Sequence, residues 1–175
     1  MRWSRAWLGV LLVFVLTGCS VVKTTPERTA LETSARWTLL PFENLAQAPQ
    51  GAERIERIVS VLLRSSGVQL ADYPREARKD PLLLVDDRAR YQKALAWAKK
   101  QGFRYGVTGS LNEWRYKAGL DGEPAVGVTL RVVDLRSGQV VWSASGARAG
   151  WGREGVAMTA QKLLDRLLGD LPLKK

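Results

Sequence analysis

The chain has 175 residues with 27 Lys and Arg against 17 Asp and Glu, no histidine and one cysteine, for a formal charge of +10. A lone cysteine excludes an internal disulfide framework and a multi-cysteine metal site, and the absence of histidine removes the commonest general base. The length suits one domain with a real core, since chains of about 150 residues bury roughly 68–70% of their unfolded surface.

The first element is a leader. Arg2 and Arg5 form a positive start, and Ala6 to Leu16 is an uncharged, mostly apolar run. That run falls short of the roughly 20 residues needed to cross a bilayer and suits a signal-peptide core. It closes on Leu16-Thr17-Gly18-Cys19, which resembles the bacterial lipobox, where cleavage precedes the cysteine and the new N-terminus is acylated. The plain alternative is a secretory signal followed by a free thiol, but the cysteine stands at the lipobox position. The covalent lipid expected on Cys19 is a diacylglycerol plus an N-acyl chain, and no other cofactor is expected. Under the sorting rule that this resemblance carries, Ser20 in place of Asp after the cysteine directs the protein to the periplasmic side of the outer membrane.

Cleavage removes Arg2 and Arg5 and leaves 157 residues near +8. The remaining basic residues are dispersed, with no run longer than Lys99-Lys100 or Lys174-Lys175. A secreted, lipidated chain meets anionic headgroups, acidic cell wall and partner proteins rather than nucleic acid. Residues 19–35 lack sustained apolar periodicity and read as the lipidated cysteine followed by a flexible tether, with a reach of about 20–25 Å.

A single periplasmic domain is expected over 36–171, with 172–175 as a tail. Arg36 to Leu45 reads as a first strand ended by Pro41. Ala52, Ile55, Val59, Leu62 and Leu63 recur at helical steps over 50–66, and Gly67 is the expected stop. Val68 to Ala71 reads as a short strand, and a polar connection follows. Asp86 and Asp87 can cap a helix running to Gln101, with Tyr91, Ala94, Leu95 and Ala98 inward. Tyr105, Val107, Gly109 and Leu111 define one face of a strand that continues through Trp114 and Tyr116. Two glycines and a proline break it over 117–124. Val126, Val128, Leu130 and Val132 form the core face of the next strand. Asp134 to Gly138 is a turn, and Gln139 to Ala147 returns with Val140, Trp142 and Ala144 facing one way. A final helix over 155–171 carries Val156, Ala160, Leu163, Leu164, Leu167, Leu168 and Leu171 as its stripe, and Pro172 ends it. The fold class is therefore α/β, a compact sandwich of a mixed, largely antiparallel sheet packed with about three helices.

Several segments carry a family resemblance. Trp37-Thr38-Leu39-Leu40-Pro41-Phe42-Glu43-Asn44 is similar to the opening strand of the TolB N-terminal, CsgG-like and LpoB-like periplasmic domains. Tyr105 to Ser110, Gly119 to Val128 and Ser137 to Gly146 together resemble the PelC family, the lipoproteins of Pel exopolysaccharide export. The likeness runs from about Arg36 to Leu171. It implies a non-catalytic homo-oligomeric ring under the outer membrane, beside the pathway's outer-membrane porin, with the polysaccharide passing through. An LpoB-like regulator of a cell-wall synthase is the alternative, although it calls for a longer tether.

The chemistry of the residues agrees with a non-enzyme. No Gly-rich phosphate loop, Ser-Xaa-Xaa-Lys or metal-ligand spacing is present. Asp121 and Glu123 are the one tempting carboxylate pair, and two readings of them stand: a solvated hairpin loop, or, as the resemblance implies, a ring of carboxylates that focuses negative potential on a cationic polymer. Net positive charge sits awkwardly with the second reading unless acids and bases are segregated. Trp151, flanked by Gly150 and Gly152 with Arg148 and Arg153 nearby, is the candidate membrane-interface residue. Its alternative is an indole folded back over the helix start.

Overall fold

A computed structural model describes residues 20–24, 30–74, 86–118, 122–151 and 153–174. Its strands are β1 (Ser20–Thr24), β2 (Leu31–Glu32), β3 (Trp37–Leu39), β4 (Glu43–Asn44), β5 (Leu70–Asp72), β6 (Tyr105–Tyr116), β7 (Pro124–Asp134), β8 (Val140–Ala149) and β9 (Leu173–Lys174). Its helices are α1 (Gly51–Ser65), α2 (Asp87–Lys100) and α3 (Val156–Gly169). Seven strands make one open mixed sheet in the order β1-β8-β7-β6-β3-β5, with β4 also pairing β6, while β2 and β9 form a separate parallel pair. The long pairs β6–β7 and β7–β8 are antiparallel, and β3 joins β6 in parallel.

Each face of the sheet has its own core. Val126, Val128, Leu130, Val132, Trp142 and Ala144 pack beneath the stripes of α1 and α3, as their alternation requires. On the other face, α2 lays Ala94 and Ala98, both fully buried, against Leu40, Phe103, Val133 and Leu135, with Tyr91 and Leu95 partly buried beside them. Asp86 caps α2 by accepting from the Ala89 amide at 2.9 Å. Gly67 ends α1 with φ of 85°, a conformation that a side chain resists.

Two bulges explain where the simple alternation changes phase. A register shift between Leu111 and Glu113 moves the core face of β6 from odd to even positions, so Trp114 pairs with Val126 and packs on the core. A second shift pairs Val133 with Val140, whereas Val132 pairs with Trp142. Val140 therefore leaves the face shared by Trp142 and Ala144, and it is exposed. This corrects the expectation that all three point one way.

The ends of the chain differ from the expected tether and tail. Ser20–Thr24 is an edge strand, antiparallel to β8, with Val22 packed on the core and Val21 outside. Five residues are too few for a periodic signal, and the free edge of β8 supplies the hydrogen bonds that fix them. Leu31 is fully buried, and Leu173–Lys174 pairs with Leu31–Glu32. The folded unit thus reaches beyond 36–171 in both directions.

Candidate functional site

The site is one end of the sheet, where β6 and β8 finish and β7, β1 and α3 begin. Tyr116 pairs with Pro124, Ala125 with Ala149, and Ser20 with Arg148. The two ends of the hairpin, at Tyr116 and Pro124, therefore lie beside the start of the following loop at Gly150 and next to the start of β1. The Gly150 amide donates to the Pro124 carbonyl at 2.8 Å, and the Val156 amide donates to the Tyr116 hydroxyl at 3.3 Å. These two bonds tie the hairpin to the loop.

Cys19 and Asp121 lie outside the described residues; their chain neighbours Ser20 and Gly122 belong to this end. Glu123 is half-exposed, and Lys117 Nζ stands 3.5 Å from its carboxylate, while the Lys117 amide donates to the Glu123 carbonyl at 2.7 Å. Asp86 is occupied as a cap, and Asp87 accepts from the Asn44 amide and pairs with Arg90 at 3.1 Å.

Trp151 is 51% exposed. Tyr116 and Met158 are also exposed here, which gives the end three apolar or amphipathic side chains. Arg153 is exposed, whereas Arg148 is half-buried, with an Nε that has no hydrogen-bond partner among the described residues. Beneath the loop lies Glu154, whose carboxylate accepts from Thr159 Oγ1 at 3.1 Å and pairs with Lys162 Nζ at 3.3 Å. Burial pushes its pKa up, but the bonds from Thr159 and Lys162 and the charges of Lys162 and Arg148 outweigh that and hold it below the ordinary carboxylate range.

Elsewhere, a groove of about 870 Å³ runs across the sheet between Val21, Leu45 and Arg115. Its single acidic lining residue, Glu113, is bonded to Arg115 at 2.7 Å. Hydrolysis by paired carboxylates needs a second acid about 5–9.5 Å away. Among the described residues, no group of acids suits a metal ion.

The structure is similar to a PelC dodecamer from Paraburkholderia phytofirmans, with a TM-score of 0.75 and 33% identity, covering 90% of this chain and 100% of that one. The chain belongs to the PelC family. A variant PelC dodecamer from the same organism agrees, at TM-score 0.75 and 32% identity over 89% of this chain and 100% of the other. A lipoprotein from Neisseria meningitidis shares the fold, at TM-score 0.56 and 13% identity over 77% of this chain and 96% of that one. No family model matches the sequence, and no curated protein does.

In this PelC-family chain, sequence reasoning found the two loops but missed what supports them. Glu154, Thr159 and Lys162 were not singled out, although an acid just before a helix start is a readable sign of a residue serving the positive helix end. Tyr116 and Met158 were passed over because single exposed apolar residues carry no sequence signal.

Proposed function

We propose that this chain is a non-catalytic lipoprotein of the outer membrane that assembles into a homo-oligomeric ring and guides a cationic exopolysaccharide, Pel, to its outer-membrane export channel. The observation that carries this reading is the 33% identity to a PelC dodecamer along the whole of that chain. The geometry adds support, because Ser20, which follows Cys19, Trp151 and the root of the hairpin at Tyr116 and Pro124 share one end of the fold. With Ser20 already in β1, almost no slack separates an acylated Cys19 from the body. Trp151 and Arg153 then face the inner leaflet, with Arg148 behind them.

The same lack of slack weighs against a regulator that reaches across the periplasm to a cell-wall synthase. Guidance falls to Asp121, with Glu123 beside Lys117 at the root of the same hairpin. Symmetry multiplies one carboxylate into a ring around the opening, where low-dielectric walls strengthen its field. Basic residues toward lipid and Asp121 toward polymer would reconcile the net positive charge with a cationic cargo. The test is Asp121→Asn in cells that depend on this protein for export. Secreted polymer is expected to fall while protein level and assembly stay constant, and undiminished secretion would remove Asp121 from the mechanism.

A further inference from the structure

We propose that Glu154 is the positioning residue that locks the Trp151 loop to the first turns of α3, so that the membrane contact moves with the body of the fold. This rests on the reading that Trp151 enters the bilayer, and it assigns the means by which Trp151 is presented.

The Glu154 side chain is only 7% exposed, an unusual place for a carboxylate. It reaches forward to Thr159 and Lys162 on the first turns of α3 and lies within the field of Arg148 on β8. Its own amide donates to the Trp151 carbonyl at 2.7 Å, closing the turn that displays the indole. On the far side of the turn sits Gly150. A Cβ there would meet Thr159 Oγ1 at 2.5 Å, Pro124 Cγ at 2.8 Å and the Glu154 carboxyl carbon at 3.1 Å. Thr159 on α3, Pro124 on β7 and the loop's own Glu154 carboxyl therefore close on the Gly150 backbone, and Pro124 is the root of the hairpin.

The bonds from the Gly150 amide to Pro124 and from the Val156 amide to Tyr116 hold the two ends of the loop, and neither fixes the turn between them. α3 is held by Leu163, Leu164 and Leu167, each at most 1% exposed, and stays in place without Glu154. The turn between Gly150 and Val156 has no such apolar support, since Trp151, Arg153 and Gly155 are all exposed. Loss of the carboxylate should release the loop and spare the helix.

The experiment uses the full acylated protein in phosphatidylethanolamine–phosphatidylglycerol vesicles with brominated acyl chains. It reads the Trp151 emission as the difference from Trp151→Phe. Glu154→Gln removes a charge-assisted bond of the class that contributes about 1.5–3 kcal/mol, so the seated-to-unseated ratio of Trp151 should fall about tenfold or more, seen as lost bromine quenching. Hydrogen exchange over 150–155 should rise in the same variant without lipid, with melting and far-UV spectra close to wild type. Glu154→Asp, which keeps the charge beside Lys162 and Arg148, should recover part of the quenching. Unchanged quenching and unchanged exchange in Glu154→Gln would overturn the proposal. If the variant loses its fold, Thr159→Val, which deletes one donor from a fully buried site, is read by the same two measurements. Absence of quenching in wild type would instead refute the membrane reading, and the exchange arm would still decide the latch.

Discussion

Replacing Trp151 with alanine in a mature chain that also carries Cys19→Ser isolates the loop's own contribution to membrane binding, because the acyl anchor is gone. A tryptophan side chain covers roughly 150–250 Å², and 51% of Trp151 is open, which leaves about 75–125 Å² for the bilayer to cover. At about 25 cal/mol per Å² this amounts to roughly 2–3 kcal/mol per protomer, or about 20- to 150-fold in vesicle affinity. Sedimentation with anionic vesicles measures it. The loss should persist at high salt, since it is apolar, whereas Arg153→Ala should cost about 1 kcal/mol and should fade as salt screens the surface. Affinity unchanged by Trp151→Ala would refute the assignment of this loop to the membrane.

Two further outcomes follow from the structure. Val22→Asp places a carboxylate where Val22 meets the core, at a cost of about 1–3 kcal/mol. The edge strand β1 should detach while the fold persists, read as trypsin cleavage after Lys23 at low protease, and continued protection of Lys23 would contradict the account of β1. The second concerns pH. The pKa of Glu154 is depressed in the fold, so its contribution to stability is fully present above the unfolded value of about 4.5 and is lost as pH falls through the lower folded value. The melting advantage of wild type over Glu154→Gln should therefore be constant at neutral pH and shrink below about pH 4.5. An advantage that grows on acidification would reverse the sign of this argument.

Where long periodic segments decide the fold, the sequence was sufficient. The stripes of α1 and α3 and the alternation of Val126 to Val132 each state their buried face many times over, and the structure buries those residues. The capped start of α2 was legible because an Asx cap is a local bond. What escaped was set by tertiary context. The bulges in β6 and β8 depend on partner strands, so nothing within Leu111 to Glu113 or Val140 to Trp142 announces them. The strand Ser20–Thr24 and the pairing of Leu31 with Leu173 are too short to show a period, and each is set by a partner strand distant in sequence. The same holds for the site. Gly-rich and Trp-bearing loops stood out as punctuation, but their adjacency follows from the register Ser20 to Arg148 and from the Gly150 to Pro124 bond, which join residues far apart in sequence.

The central claim is that this chain acts as an assembly whose protomers are held by lipid at one shared end. The most direct measurement is the native mass of the acylated protein in mild detergent and in anionic lipid nanodiscs. A homo-oligomer is expected, with a dodecamer as the reference set by the similar PelC from Paraburkholderia phytofirmans. A strict monomer at high protein concentration, with lipid present, would contradict it.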